Sequence, residues 1–156
     1  MALRKILTVD EDEAALRRVC RPVTAFDGRL IQLVEDLYET MRAANDGVGL
    51  AAPQVGVLRR VAVVDCGDGE TDLINPEILE TSGEVEYDEA CLSVPGRYGR
   101  TKRPERVKVR AYNRLGEQYE VEAEGLKALA LVHEIEHLDG VLYLDRLIGE
   151  LEEVEP

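Results

Sequence analysis

The chain has 156 residues, of which 45% are hydrophobic, enough for one hydrophobic core but too few for two. We therefore expect a single domain over residues 1–156. The net charge is −13, the sequence pI is near 4.6, and no run of Lys and Arg is dense enough to neutralise several phosphates. We expect no binding to nucleic acid and none to anionic membranes.

The N-terminal segment and the apolar runs indicate the compartment, and the cysteines indicate whether disulfides are present. Residues 1–9 lack the apolar stretch of a secretory signal, and residues 10–13 are too acidic for a transit peptide. No apolar run reaches membrane-spanning length, so we expect a soluble, cytoplasmic protein. The three cysteines (Cys20, Cys66 and Cys91) are odd in number and widely spaced, which excludes a disulfide framework and a CxxC pair.

Two helices are predicted in the first third of the chain. A short helix over residues 11–19 stops before Pro22. A longer helix follows, preceded by Thr24 and Asp27 at the spacing of a capping box. Its apolar residues recur at helical period: Leu30, Leu33, Val34, Leu37, Met41 and Ala44. We expect this helix to end at residues 45–47, Asn-Asp-Gly.

Between residues 57 and 123 the pattern changes to short β-like segments. Three of these segments cover residues 60–65, 72–74 and 78–81. A clearer pair of strands follows, joined by a turn at residues 113–116. The residues that alternate on one face of this pair are Val107, Val109 and Ala111, then Tyr119, Val121 and Ala123. This pattern predicts an antiparallel hairpin.

A last helix is predicted over residues 126–138, after Gly125. Its apolar residues occupy nearly the whole circumference, and a helix of this kind belongs in the interior of a protein. Helices at the start, strands in the middle and one buried helix near the end predict an α+β fold. In this fold, antiparallel or mixed β-sheets pack around the buried C-terminal helix.

The buried helix carries an HExxH motif, residues 133–137 (HEIEH). Because a residue advances about 100° around a helix, positions four apart leave the same face. His133 and His137 can therefore bind one metal ion, and Glu134 can reach a water on that metal as a general base.

HExxH also occurs by chance, and a histidine on an apolar helix is often a satisfied core residue. Here the two histidines are the only ones in the chain, and burying them with two carboxylates is costly unless something binds them. A tetrahedral site needs a third ligand, and a thiolate is the best soft donor available. Cys20 and Cys66 have the contexts of ordinary small residues, whereas Cys91 lies in a segment with strand-like ends and a proline stop, Pro95.

Three motifs in fixed order make the chain resemble the peptide deformylases. They are residues 47–54 (GVGLAAPQ), 89–93 (EACLS) and 133–137 (HEIEH), and the resemblance runs from about Leu3 to Leu147. The family usually has Gly where this chain has Ala90, and Asp where it has Glu136. Gly would allow backbone angles closed to Ala, yet we expect the site to survive. The longer Glu136 must rebuild any hydrogen bond of the Asp, which affects metal affinity or rate but not the reaction type.

The resemblance implies an enzyme that removes the N-formyl group from the N-terminal formyl-methionine of new polypeptides. It implies that Cys91, His133 and His137 hold Fe(II), with Zn, Ni or Co able to occupy the site, although spacing alone suggests zinc. Glu134 is then the general acid/base. The side-chain amide of Gln54 and the backbone N–H of Leu92 are then the donors that stabilise the oxyanion.

The predicted substrate site combines residues from all three motifs. Gly47 and Gly49 remove side chains where the backbone of an extended peptide could approach. One face of the buried helix offers an apolar slot for a methionine side chain beside the metal, and the residues on that face are Leu126, Leu129, Ala130, His133 and His137. By resemblance, the residues that close the slot are Val48, Tyr87 and Glu89.

Residues 47–52 also match a GxGxxA dinucleotide fingerprint, but they follow a helix and meet Pro53, so we do not expect nucleotide binding. Two alternatives stay open: an HExxH peptidase that cleaves internal peptide bonds, and a non-catalytic deformylase-like protein that binds peptide or metal. The end of the chain, residues 149–156 (GELEEVEP), is acidic, so we expect no ribosome contact through a basic tail.

Overall fold

Two helices open the chain in the computed structural model, which describes residues 2–44 and 47–154. α1 (Val9–Leu16) begins and ends earlier than predicted. α2 (Gly28–Ala43) is capped by Asp27, whose Oδ1 accepts a hydrogen bond from the backbone N–H of Leu30 at 3.1 Å. The predicted capping box at Thr24 is therefore wrong, because the chain is still extended at Asp27. The predicted helix end at Asn45 and Asp46 lies outside the described residues.

Five antiparallel strands form the larger sheet, in the order β1-β2-β3-β6-β7. Their bounds are β1 Gly49–Ala51, β2 Val61–Val64, β3 Thr71–Ser82, β6 Arg106–Tyr112 and β7 Gln118–Glu124. The predicted hairpin is confirmed, with Val109 opposite Val121. The segments predicted at 72–74 and 78–81 are one strand, β3, whose pairing with β6 shifts register around Pro76. A shift of this kind lets a strand continue past a proline.

The smaller sheet has the order β4-β5-β8 and is also antiparallel. Its strands are β4 Val85–Cys91, β5 Val94–Arg103 and β8 Glu152–Glu153. Pro95 does not stop this segment as predicted but is the exposed second residue of β5. A proline is tolerated there because the start of a strand needs fewer ladder hydrogen bonds.

The last helix, α3 (Gly125–Leu138), lies in the interior as predicted. It begins at a glycine with φ +64, a conformation that glycine adopts without strain. Leu131 and Leu138 are fully buried in a cluster with residues of β1, β2, β3 and β6. Each buried leucine contributes about 1.5 to 3 kcal/mol. The predicted α+β class is confirmed.

A buried acid joins α2 to the larger sheet. Asp72 of β3 accepts hydrogen bonds from the Tyr38 hydroxyl at 2.8 Å and from the Arg114 side chain at 2.9 Å. Burial alone would raise the pKa of Asp72, but the hydrogen bonds from Arg114 and Tyr38 outweigh burial and lower that pKa. The ionised carboxylate therefore stabilises the fold at neutral pH.

None of the helices within residues 2–44 and 47–154 has both the length and the apolar character needed to cross a membrane.

Candidate metal centre and cleft

One face of α3 brings the two histidines together. His133 Nε2 and His137 Nε2 are 3.2 Å apart, and both side chains are buried. The HExxH spacing produces this geometry because residues four apart lie one above the other on a helix. The Cys91 thiol, at the end of β4, adds a third donor, with its Sγ 3.3 Å from His137 Nε2.

These three donors fit a single metal ion. The ligand atoms of Cys91, His133 and His137 all lie within 4.8 Å of one another. A tetrahedral ion about 2.1 Å from nitrogen and about 2.3 Å from sulfur separates its ligand atoms by roughly 3.3 to 3.6 Å. The distances of 3.2 and 3.3 Å are close to that range. One thiol and two imidazoles suit a borderline-soft divalent cation.

Glu134 lies beside these donors with a carboxylate oxygen free. Its Oε2 is 4.0 Å from His133 Nε2, and its Oε1 is buried without a hydrogen-bond partner among residues 2–44 and 47–154. Burial raises the pKa of Glu134 to about 7. The neighbouring His133 lowers this pKa, but its effect is smaller than that of burial. A carboxyl group of that pKa can take up and release a proton at neutral pH.

A buried carboxylate holds the first imidazole in place. Glu89 Oε2 is 2.5 Å from His133 Nδ1, so this ring nitrogen is the donor and Nε2 is left to face the cation site. Arg103 donates to both oxygens of Glu89, at 2.7 and 2.8 Å, and the Thr101 hydroxyl donates at 2.7 Å. Burial alone would raise the pKa of Glu89, but the hydrogen bonds from His133 and Arg103 bring it down to about 2.

Arg103 and Thr101 were not predicted from the sequence. Both occupy inward positions of β5, where the flanking Arg100 and Lys102 are exposed. The alternation of residues along β5 could have indicated that Thr101 and Arg103 share a face. However, β5 has charged residues on both faces, so its pattern does not show which face is buried.

The two departures from the family pattern have visible structural settings. Glu136 accepts from Arg103 at 2.5 Å and from Arg146 at 2.8 Å, so its longer side chain has two cationic partners. Among the described residues other than glycine, only Asn75 has a positive φ, so Ala90 adopts backbone angles open to any residue. With both departures present, the ligand atoms of Cys91, His133 and His137 lie within 4.8 Å of one another.

Gln54 is fixed so that its amide donor points toward the centre. Its Oε1 accepts from the backbone N–H of Ala51 at 2.9 Å, so Nε2 is the end of the amide that faces Cys91 and Ser93. Nε2 is 3.1 Å from Ser93 Oγ and 3.5 Å from Cys91 Sγ. Leu92 lies in the turn between β4 and β5, next to Cys91. Both predicted oxyanion donors therefore border the metal-site donors.

The two glycines of the first motif lie against the chain itself. A Cβ at Gly49 would be 2.6 Å from Glu134 Oε2, and a Cβ at Gly47 would be 2.6 Å from the backbone oxygen of Met41. The structure thus gives a reason for each glycine that is independent of a peptide substrate. The absence of a side chain at Gly49 makes room for the carboxylate of Glu134.

A cleft of about 420 Å³ opens onto this centre. The predicted residues that line it are Gly47, Val48, Gly49, Gln54, Glu89, Cys91, Leu92, Leu126, Leu129, Ala130, His133 and Glu134. His137 is 1% exposed and lies behind these residues. Tyr87, which was predicted to close the apolar slot, is half-buried on β4 and does not line the cleft. Sequence reasoning missed Val154, which lines the cleft from the C-terminal end of the chain.

Two imidazoles and a carboxylate on one buried helix, next to a thiol at the end of a strand, are typical of a metal-dependent hydrolase with an HExxH motif. The family model described as polypeptide deformylase matches residues 3–152. The chain belongs to this family, and the assignment made from its three motifs is confirmed.

Known proteins resemble the chain over nearly its whole length. The peptide deformylase of Acetivibrio thermocellus is 54% identical over 155 residues, which are 99% of this chain and 89% of that protein. That of Caldicellulosiruptor bescii is 49% identical over 155 residues, 99% of this chain and 92% of that protein. The crystal structure of peptide deformylase from Thermotoga maritima superimposes with a TM-score of 0.90 at 41% identity, covering 96% of this chain and 100% of that one.

Proposed function

We propose that this chain is a metal-dependent hydrolase that removes the N-formyl group from the N-terminal formyl-methionine of newly made polypeptides. The observation that carries the proposal is the convergence of Cys91, His133 and His137 within 4.8 Å, beside the buried carboxylate of Glu134 and at the base of a cleft. The family and the names of the relatives support the same activity. We propose that residues 1–156 form one catalytic domain that works in the cytoplasm, where nascent chains carry the formyl group.

The cation in this proposal is Fe(II), with Zn, Ni or Co able to take its place, and Cys91, His133 and His137 would hold it. When bound, a divalent cation supplies a Lewis acid that favours deprotonation of a water molecule near neutral pH. Glu89 supports the site by accepting a hydrogen bond from the Nδ1–H of His133. The lone pair of His133 Nε2 is therefore available to a metal ion bound between it, Cys91 and His137.

Glu134 moves the proton in the reaction. Its carboxylate accepts a proton from the attacking water and then delivers it to the nitrogen of the departing amine. A pKa raised to about 7 suits both steps, because the group must be basic enough to take the proton and acidic enough to give it up.

Two donors stabilise the charge that develops on the formyl oxygen. Gln54 Nε2 is held toward the cleft by the bond between its Oε1 and the N–H of Ala51, and the N–H of Leu92 comes from the adjacent turn. Donors fixed in advance need no reorganisation during the reaction, and the loss of one costs about 3 to 4 kcal/mol in other enzymes.

The methionine side chain is placed against the apolar wall of the cleft. Leu129 and Ala130 are buried on α3, and Leu126 is 54% exposed at its open end. Val48 lines the same cleft. An unbranched thioether side chain is suited to an apolar slot of this kind.

The test is an assay of purified, metal-loaded protein on a formyl-methionyl peptide, with an unformylated protein substrate beside it. We expect release of formate from the formyl-peptide and no cleavage of internal peptide bonds. Glu134→Gln should keep its metal and lose nearly all turnover. A fully active Glu134→Gln would contradict the role of general base. Cleavage of the unformylated protein would favour an HExxH peptidase, and a metal-loaded protein without turnover would favour a non-catalytic member.

A further inference from the structure

A second arginine contacts the side chains behind the metal centre, and it does so from the surface. Arg146 ends the short turn that follows α3, the 3-10 turn Tyr143–Arg146. It donates to one carboxylate oxygen of Glu136, from Nε at 3.0 Å and from Nη2 at 2.8 Å. The other oxygen of Glu136 accepts from Arg103 Nη1 at 2.5 Å. One carboxylate therefore joins an exposed arginine to a buried one.

These contacts continue inward to an imidazole of the metal site. Arg103 donates to Glu89 from Nε at 2.8 Å and from Nη2 at 2.7 Å, and Glu89 accepts from the Nδ1–H of His133. Five side chains thus form one series of donors and acceptors from the solvent to the metal site: Arg146, Glu136, Arg103, Glu89 and His133. The exposed fraction of the side chain falls from 49% at Arg146 to 14% at Glu136 and 2% at Arg103.

The backbone holds the outer arginine beside this series. Leu147 forms a β-bridge with Thr101 of β5, and the N–H of Ile148 donates to the backbone oxygen of Arg100 at 2.9 Å. Arg146 is therefore fixed next to the strand that carries Arg103. Its contact with Glu136 loses less conformational entropy than a contact between two side chains on mobile segments.

Arg103 is shared by two carboxylates. A guanidinium carries one charge on a rigid, planar set of donors, so a pull on Nη1 also moves Nε and Nη2. Two carboxylates on one buried guanidinium leave a negative charge without compensation, which is costly in the interior. Arg146 supplies the second positive charge. Without it, Glu136 would compete with Glu89 for Arg103.

We propose that Arg146 is a positioning residue for the metal centre, acting through Glu136 and Arg103 on the hydrogen bond between Glu89 and His133. It neutralises Glu136, so the fork of Arg103 stays on Glu89, and Glu89 keeps the imidazole turned with Nε2 toward the cation. The extra methylene of Glu136, relative to the Asp usual in the family, extends its carboxylate further from α3, where both arginines contact it. The inference rests on the proposed function and adds a surface residue that affects how tightly the metal is held.

The experiment compares the Zn(II) affinity of the wild type and Arg146→Gln by titration with a chelator. Loss of a direct partner of a metal ligand lowers affinity about 10-fold to 100-fold, so we expect this more remote change to lower it about 3-fold to 10-fold. Arg146→Lys keeps the charge and should recover most of the affinity. Arg100→Gln is the matched control and should bind Zn(II) like the wild type, since Arg100 is equally exposed, at 49%, but pairs with Asp88 instead of Glu136.

Two further measurements separate positioning from general stability. In a Glu136→Gln background, Arg146→Gln should have no further effect on Zn(II) affinity, because the contact through which it acts is already lost. In the metal-free protein, nuclear magnetic resonance should show faster solvent exchange of the Nδ1 proton of His133 in Arg146→Gln than in the wild type. The signal can be identified, since the chain has two histidines and His137 Nδ1 has no hydrogen-bond partner within residues 2–44 and 47–154.

Three results on affinity would overturn the inference: wild-type affinity in Arg146→Gln, an equal loss in Arg100→Gln, or a loss that persists in the Glu136→Gln background. A lower affinity with unchanged exchange of the His133 proton would also overturn it, because Arg146 would then act on stability alone. The wild type separates this failure from that of the proposed function. If it retains no Zn(II) and releases no formate from formyl-Met-Ala, both fall; if it does both, only the role of Arg146 falls.

Discussion

The contact between Gly49 and Glu134 makes a single methyl group a sharp perturbation of the general base. In Gly49→Ala, the new Cβ would be 2.6 Å from Glu134 Oε2, 2.9 Å from its Cγ and 3.0 Å from its Cδ. Ordinary contact begins at 3.4 Å, so the carboxylate must retreat by about 0.8 Å, and a misplacement of about 1 Å can reduce a rate by about 100-fold. We expect kcat to fall about 10-fold to 100-fold, with metal content unchanged.

The assay is the initial rate of deformylation by samples matched for metal content, with the melting temperature measured beside it. Gly28→Ala is the control, since nothing lies within 4 Å of a Cβ at the first residue of α2. It should keep the wild-type kcat and gain up to about 1 kcal/mol in stability. A wild-type kcat in Gly49→Ala would refute the view that the close approach of β1 positions the carboxylate.

Three further predictions address the metal centre and the fold. Cys91→Ser should lose metal on dialysis, whereas Cys66→Ser should retain it; equal metal content in the two would contradict the thiol ligand. Arg103→Lys keeps the charge but loses the forked contact with Glu89, so chelator titration should show metal affinity about 10-fold to 100-fold lower. Asp72→Asn should lower the free energy of unfolding by about 1 to 3 kcal/mol at pH 7. Because the folded pKa of Asp72 is depressed, its contribution is complete above the ordinary pKa of about 3.9 and is lost as the pH falls below it. Urea unfolding should therefore show the wild type and Asp72→Asn converging in acid, and a gap that stays constant would contradict this.

Elements with a long, regular apolar pattern were predictable from the sequence. The hairpin of β6 and β7 and the helix α3 each repeat one period over many residues, so their local pattern coincides with their final environment. The pair His133 and His137 follows directly from the helix, because i and i+4 share a face in any α-helix. Their convergence with Cys91 was predicted from donor chemistry and from the family motifs together.

The features that were missed depend on contacts between distant segments. The strand β1 has three residues and exists through its pairing with β2, which no local pattern shows. Arg103 is buried because two acids from β4 and α3 surround it, and a strand of mixed charge gives no sign of this. The position of Val154 depends on β8 pairing with β5 across more than 50 residues of chain. The N-cap at Asp27 was missed because Thr24 fits the same short-range rule.

The donors of the metal centre come from two layers of the fold that no disulfide joins, since Cys20, Cys66 and Cys91 are all free. Cys91 ends a strand of the smaller sheet, and His137 is 46 residues further along, on the helix beneath the larger one. An ion shared by the two would close that loop as a cross-link and hold the layers together. The same ion that takes part in the chemistry would then also stabilise the fold, so metal binding and folding of this chain would be thermodynamically linked.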